Sequence, residues 1–132
     1  MTHNYIGTKE VLAYEQTRYE APGYGVIYPD GYASWSPKAT FEAAYRVTEG
    51  AGQALTFGDA LYFLKQGEKV SRAGWNGKGL WLEMERPDAD SKMTLPYVYL
   101  NYPDAAQFTP NARVPWLASQ TDMLAEDWAV LP

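Results

Sequence analysis

Short runs of alternating apolar and polar residues dominate the first third of the chain. The stretch "KEVLAYEQT" has the composition of a β-strand, and "YGVIYPDGYASWS" has that of a β-hairpin. The hairpin is expected to turn at Pro29-Asp30-Gly31, because proline presets the backbone for a turn and glycine accepts a positive φ. The pattern therefore predicts one strand followed by a hairpin.

A short helix is predicted directly after this hairpin. Ser36 is a favoured N-cap residue and Pro37 a favoured first helical residue, ahead of the stretch "KATFEAAYR". Residues 1–48 are therefore expected to form a small ββα-like module that holds most of the tyrosines. A module of this size cannot bury a deep core by itself.

A helical period replaces the alternating pattern after residue 54. Thr56 and Asp59 have the spacing of a capping box, and Gly67 stands where the helix is expected to end. Between them, apolar residues recur at helical spacing: Phe57, Ala60, Leu61 and Leu64. This segment is predicted to be the main helix of the protein.

Three strands and a short helix are predicted after the main helix. Strands at about 68–73 and 80–85 would meet at Asn76-Gly77, a strong signal for a tight hairpin turn. A third strand is indicated by the alternation in "PYVYLNY", whereas "NYPDAAQFTPNARVP" is rich in turn-forming residues. A short helix or turn around 119–126 precedes a final strand.

These elements define a fold class and a domain division. The order α-β-β-β-(α)-β over residues 55–132 predicts an α+β domain with a small, mostly antiparallel sheet. Residues 49–54 are small and polar, which is typical of a linker. The sequence therefore predicts a ββα-like module at 1–48, a linker at 49–54 and an α+β domain at 55–132.

Composition excludes several classes of function. The 132 residues carry a net charge of −5, which disfavours a protein that binds nucleic acid polymers through a basic face. The chain has no cysteine, so cysteine-zinc sites have no ligands. Its single histidine, His3, lies near the N-terminus, so histidine-assisted catalysis has no base. No metal or cofactor is expected. With no apolar run long enough for a membrane and no signal-peptide core, a cytoplasmic location is expected.

The predicted turn near Trp75 carries more chemistry than a chain reversal needs. Arg72 and Lys78 flank it, and glycines stand at 74, 77 and 79. One interpretation is a plain hairpin with room at its tip. The other is a turn whose bare backbone lets a ligand approach closely beside the indole of Trp75.

A second candidate region lies at "SQTD", residues 119–122, close to Trp116. Ser119 and Asp122 have capping-box spacing, so helix capping is one interpretation. The alternative is a set of hydroxyl, amide and carboxylate groups that recognises a nucleoside. Glu126 and Asp127 could serve a glycosidase, but neighbouring helical residues point apart. Some apolar residues are expected in the core instead: Phe57, Leu61, Leu64, Leu124 and Trp128.

Two long stretches resemble a known family. "LTFGDALYFLKQGEKVSRAGWNGKG" and "VPWLASQTDMLAEDW" resemble the phage Thoeris anti-defence two family, over roughly residues 55–131. The resemblance implies a small α+β protein that forms homotetramers in the cytoplasm of the infected bacterium. It implies a sponge that binds glycocyclic ADP-ribose-type signals of Thoeris defence without cleaving them, with cyclic dinucleotides as a second possible ligand. The N-terminal block looks like a small module that precedes such domains in some phage proteins.

The size of the domain independently predicts a ligand site that two subunits share, since one domain of about 80 residues cannot enclose the pocket alone. Trp75 would stack on adenine, while Arg72, Lys78 and turn amides would meet the pyrophosphate. Thr121 and Asp122 would take ribose hydroxyls or the adenine amine. The expected ligand-binding residues are Phe57, Arg72, Trp75, Asn76, Gly77, Lys78, Trp116, Ser119, Thr121 and Asp122. No catalytic residue is expected; the alternatives are a hydrolase of such signals and a phage structural or interaction module.

Overall fold

The computed structural model describes residues 1–75 and 79–132, and it divides the chain into two compact units. We call Met1–Tyr45 the N-terminal unit and Arg46–Pro132 the C-terminal unit. The secondary structure is α+β, with one antiparallel sheet in each unit, as the sequence predicts. No helix among the described residues is long and apolar enough to cross a membrane.

The N-terminal unit is a three-stranded antiparallel sheet followed by a short helix. Its elements are β1 (Leu12–Glu15), β2 (Gly23–Ile27), β3 (Ala33–Pro37) and α1 (Lys38–Ala44). The central strand is β2, and the predicted hairpin joins it to β3. Hydrogen bonds from Tyr28 N to Tyr32 O and from Gly31 N to Tyr28 O close the turn, where Gly31 has a φ of +91°.

The start of α1 corrects one prediction. Ser36 is not its N-cap, because Ser36 and Pro37 both belong to β3, opposite Tyr24 and Gly23. The helix begins at Lys38, with Pro37 in the N-cap position and no side-chain cap. Pairing with β2 holds Ser36 in the ladder, which outweighs its local preference for capping.

Aromatic stacking joins α1 to the sheet of the N-terminal unit. Phe41 stacks between Tyr24, at a ring-centroid distance of 4.3 Å, and Tyr45, at 4.8 Å. The Tyr24 hydroxyl donates a hydrogen bond of 2.6 Å to Glu42. Within the described residues of this unit, Val26 is the one apolar side chain that is buried. The unit therefore has stacked rings where a larger domain has a core.

The C-terminal unit is a five-stranded antiparallel sheet with its main helix on one face. Its helices are α2 (Phe57–Lys65) and α3 (Gln120–Leu124). Its strands are β4 (Val70–Arg72), β5 (Trp81–Glu85), β6 (Tyr97–Asn101), β7 (Arg113–Pro115) and β8 (Trp128–Val130). The strand order is β7-β6-β5-β4-β8, so the last strand of the chain pairs with β4.

Local capping signals set the ends of α2 as predicted. The Thr56 hydroxyl accepts a hydrogen bond from Asp59 N, and the Asp59 carboxylate accepts one from Thr56 N. Gly67, with a φ of +89°, follows the last turn and donates to Leu64 O. The core lies between α2 and the sheet, and its buried residues are Leu55, Ala60, Phe63, Leu64, Val70, Leu82 and Trp128.

Two further predictions for this unit are wrong. Residues 113–115 form β7, although this stretch was expected to be loop, because the edge of β6 offers Leu100 and its neighbours as partners. Leu124 was expected in the core but is 79% exposed. With only five residues, α3 has no buried side chain, and the indole of Trp128 occupies the space beneath it, donating to Asp122 O.

Candidate functional site

Arg72 lies at the end of β4, where it is bound by two carboxylates. Its Nη1 donates to Asp122 Oδ1 at 2.7 Å, and its Nε donates to Asp127 Oδ1 at 2.8 Å. The Arg72 and Asp122 side chains are each 13% exposed, and that of Asp127 is 33% exposed. With two carboxylates for one guanidinium, this acidic cluster carries a net charge of −1.

Asp122 serves the helix and the cluster at once. Its Oδ2 accepts a hydrogen bond from Ser119 N, while the Ser119 hydroxyl accepts one from Asp122 N, which confirms the predicted capping box of α3. Its Oδ1 accepts hydrogen bonds from Arg72 and from Trp75 Nε1, the latter at 3.1 Å. One carboxylate thus caps α3 and orients an indole.

Four aromatic side chains form a connected aromatic cluster beside these carboxylates. Trp128 is fully buried at its centre. The Trp75 ring meets Trp128 edge to face, with centroids 5.5 Å apart, and Trp116 does so at 6.2 Å. Phe57 lies 5.5 Å from Trp128 and 6.1 Å from Trp116. The three outer rings are half-buried, so each keeps some surface exposed to solvent.

Asp127 is a part of this site that the sequence prediction did not include. Besides Arg72, it binds the backbone of the next two residues: its carbonyl accepts from Ala73 N and its Oδ2 accepts from Gly74 N. The sequence raised Asp127 only as one of two acids of a glycosidase. Its role is visible only once β4 and β8 are paired, because 55 residues separate Asp127 from Arg72.

The electrostatics of the cluster favour its ionised form. Partial burial by itself would raise the pKa of the Asp122 carboxyl, but hydrogen bonds from Trp75, Arg72 and Ser119 outweigh it and lower the pKa to about 2. The Arg72 guanidinium is the main cause that lowers the pKa of Asp127. Both carboxylates, Asp127 first, raise the pKa of Arg72. At neutral pH all three groups are charged.

The structure brings together six of the predicted ligand-binding residues: Phe57, Arg72, Trp75, Trp116, Ser119 and Asp122. Thr121 is an exposed residue of α3. Asn76, Gly77 and Lys78, together with the predicted tight turn, lie outside the described residues. Within residues 1–75 and 79–132, no group of side chains is arranged to hold a metal ion.

Comparison with known proteins gives two matches to the same group. Residues 55–131 match a family model described as the Thoeris anti-defense 2-like domain. The chain is also similar to "Thoeris anti-defense 2" of Bacillus phage SP01, with 39% identity over 84 residues. That alignment covers 58% of this chain and 94% of the phage protein. The family match includes the acidic and aromatic clusters and leaves out the N-terminal unit.

Proposed function

The chain belongs to the Thoeris anti-defense 2-like family, and from that premise we propose that it binds and sequesters a cyclic ADP-ribose-derived signal without cleaving it. Membership makes it a phage counter-defence protein directed against Thoeris. Its place of action is then the infected host cell. A signal that is held in this way no longer reaches the effector of the defence system.

The observation that carries the proposal is the anchored indole of Trp75. A side chain held by Asp122 and by the edge of Trp128 has already lost most of its rotational freedom. Stacking of adenine on such a ring therefore costs little further ordering, and base stacking on aromatic side chains contributes about 1–3 kcal/mol per base. The neighbouring carboxylates supply acceptors for ribose hydroxyls and for the adenine amine.

The geometry changes the role that we propose for Arg72. Its Nε and Nη1 donate to carboxylates, and its Nη2 lies 3.4 Å from Asp127 Oδ2. Three of its five N–H groups are engaged by carboxylates that also balance its charge, which makes it a weaker partner for a pyrophosphate. We therefore propose that Arg72 organises the site, and that Lys78 and the backbone amides around it meet the phosphates.

The ionisation of the cluster supports a binder over a hydrolase. Glycoside cleavage by a carboxyl pair needs one member protonated near neutral pH, as the general acid. The pKa of Asp122 is about 2, and that of Asp127 is also below its ordinary value. Neither group is therefore poised to protonate a leaving group.

We propose that the protein assembles as a homotetramer in which two subunits share each ligand site. The helix α2 covers the sheet face that bears Val70 and Leu82. The alternation of β5 and β6 places Trp81 and Tyr99 on the opposite face, where both are half-buried, together with Tyr97, which is 39% exposed. This sheet face combines aromatic rings with the carboxylates of Glu83 and Glu85, and we propose it as the contact surface for a second copy.

The experiment that tests sequestration is recovery of the ligand. The protein is incubated with cyclic ADP-ribose isomers, separated from free ligand and heat-denatured, and the released nucleotide is identified by mass spectrometry. We expect intact ligand in the released fraction. Degradation products formed with turnover would establish a hydrolase instead, and capture of no isomer would favour an interaction module.

A pair of tryptophan variants locates the site in the same assay. Trp75→Ala should weaken binding by roughly 1–3 kcal/mol, a factor of about 5–150. Trp35→Ala removes an indole from the N-terminal unit, which lies outside the family match, and should leave the affinity unchanged. Equal affinity of the two variants would contradict the assignment of Trp75 as the stacking platform.

A further inference from the structure

Asp127 accepts hydrogen bonds from each of the three residues before Trp75, through its carboxylate and its backbone carbonyl. Asp127 Oδ1 accepts from Arg72 Nε at 2.8 Å, and its Oδ2 accepts from Gly74 N at 2.8 Å. Between these two, Ala73 N donates to Asp127 O at 3.1 Å. A single residue, directly before β8, thus holds the whole segment that leads into the indole by hydrogen bonds.

The hydrogen bonds from Asp127 begin where the pairing of β4 with β8 ends. The pairing of β4 with β8 stops at Arg72 opposite Trp128, and Asp127 lies one residue beyond it. Past this point, Trp75 N donates to Arg72 O, and the length of 3.4 Å places this hydrogen bond at the weak end. Asp127 therefore supplies the strong contacts that carry the order of the sheet onward to Trp75.

Gly74 shows that this contact has a steric requirement as well as a polar one. A methyl group on Gly74 would lie 2.7 Å from Asp127 Oδ2 and 3.3 Å from Arg72 Nη2. A residue with a side chain at this position would push the carboxylate away from the segment that it holds. The close approach therefore needs both residues: Gly74 leaves room for the carboxylate, and Asp127 supplies the acceptor for Gly74 N.

We infer that Asp127 is a positioning residue that orients the Trp75 indole for its ligand, acting through the backbone of residues 72–74. The inference rests on the proposed function, because it assigns the orienting device of that same site. Asp122 holds the indole from its nitrogen, and Asp127 holds the chain from which the indole extends. Arg72 joins the two carboxylates, so a change at either one reaches Trp75.

The first test needs no ligand. Near-ultraviolet circular dichroism of the full chain reports the edge-to-face pair of Trp75 and Trp128, and the signal that Trp75→Phe removes defines the share of Trp75. We expect Asp127→Ala to remove the same part of the spectrum as Trp75→Phe does. When both changes are combined, the spectrum should match that of Trp75→Phe alone. The matched control is Glu126→Ala, which removes the exposed neighbouring carboxylate and should leave the spectrum unchanged.

A double-variant cycle separates positioning from general stability. In the wild-type background, Gly74→Ala should disturb the Trp75 signal because it displaces the Asp127 carboxylate. In the Asp127→Ala background, the same change should have a much smaller effect, since the carboxylate at 2.7 Å is gone and the milder contact with Arg72 Nη2 at 3.3 Å remains. Additive effects of the two changes, or an unchanged Trp75 signal in a folded Asp127→Ala protein of lower melting temperature, would overturn the inference.

Binding of cyclic ADP-ribose isomers provides the second readout. Asp127→Ala should raise the Kd by about tenfold or more, whereas Asp127→Asn, which keeps an acceptor for Gly74 N, should recover part of that loss. If the wild-type protein binds none of these probes, the proposed function fails while the spectroscopic test still decides the orientation of Trp75. An altered Trp75 signal with unchanged affinity would overturn the role of Asp127 in binding.

Discussion

The two units of the chain reach their folds by different means. The C-terminal unit buries a connected set of large apolar side chains, among which Trp128, Leu64 and Leu82 are fully inaccessible. In the N-terminal unit, Val26 is the apolar residue that the structure describes as buried. The difference shows that the family domain has a conventional core, whereas the N-terminal unit depends on ring stacking and strand pairing.

Close packing of rings on glycine explains how the smaller unit holds together. The ring of Tyr14 lies directly against Gly25, and that of Trp35 against Gly23, where any Cβ would collide with them. Large apolar side chains of this unit nevertheless remain exposed to solvent, since Tyr14 is 52% and Leu12 72% exposed. Burial of so little apolar area leaves a small margin over the conformational entropy of the chain.

The strongest test of this comparison separates the two units. A fragment of residues 46–132 should fold with a cooperative thermal transition, because it contains the whole C-terminal core. A fragment of residues 1–45 should be largely unfolded, or should melt at a low temperature. Far-ultraviolet circular dichroism during heating measures both. A cooperative melt of 1–45 above that of 46–132 would contradict the comparison.

Matched valine substitutions compare the two interiors at the level of one side chain. Val70→Ala should destabilise the C-terminal unit by about 2–3 kcal/mol, since its rigid surroundings cannot close the cavity. Val26→Ala removes the same two methyl groups but should cost about 1 kcal/mol, because the thinner unit can collapse around the gap. Amide hydrogen exchange reports the unfolding of each unit separately. Equal costs would show that the interiors are equally well packed.

Acid should weaken the C-terminal unit through Asp122. Its folded pKa of about 2 lies below the ordinary value of 3.8, so the carboxylate contributes stability that is present above about pH 4 and lost as pH falls toward 2. The expected loss is roughly 2 kcal/mol. Urea unfolding between pH 6 and pH 2 measures it. Asp122→Asn should flatten this dependence, while the exposed control Asp90→Asn should not; identical profiles for the two variants would contradict the role of Asp122.

The smallest expected effect concerns the predicted linker, residues 49–54, near the start of the C-terminal unit. Gln53 bonds to Val130 through both ends of its amide, and Arg46 pairs with Asp59. A fragment that begins at Leu55 loses these contacts and should be less stable than 46–132 by about 1–2 kcal/mol. Gln53→Ala in the longer fragment should reproduce most of that difference. Equal stability of the two fragments would support a plain linker at 49–54.

The local signals of the sequence predicted the elements that short-range contacts control. Thr56 with Asp59, and Ser119 with Asp122, form capping boxes because their partners are three residues apart and meet whenever a helix starts there. The aromatic candidates Trp75 and Trp116 were identified by their residue type and by their family motif. Their places in one cluster follow from packing around Trp128.

The sequence by itself determined the fold class, the capped helices and the family, since each depends on neighbouring residues or on a long motif. Only the tertiary structure decided that Ser36 pairs in a strand, that residues 113–115 form β7 and that Leu124 faces solvent. It alone decided that Arg72 is held between Asp122 and Asp127. The physical reason is that these contacts join residues that are not neighbours in the sequence: 12 positions separate Tyr24 from Ser36, and 50 separate Arg72 from Asp122. Such groups interact only after the strands that carry them have paired.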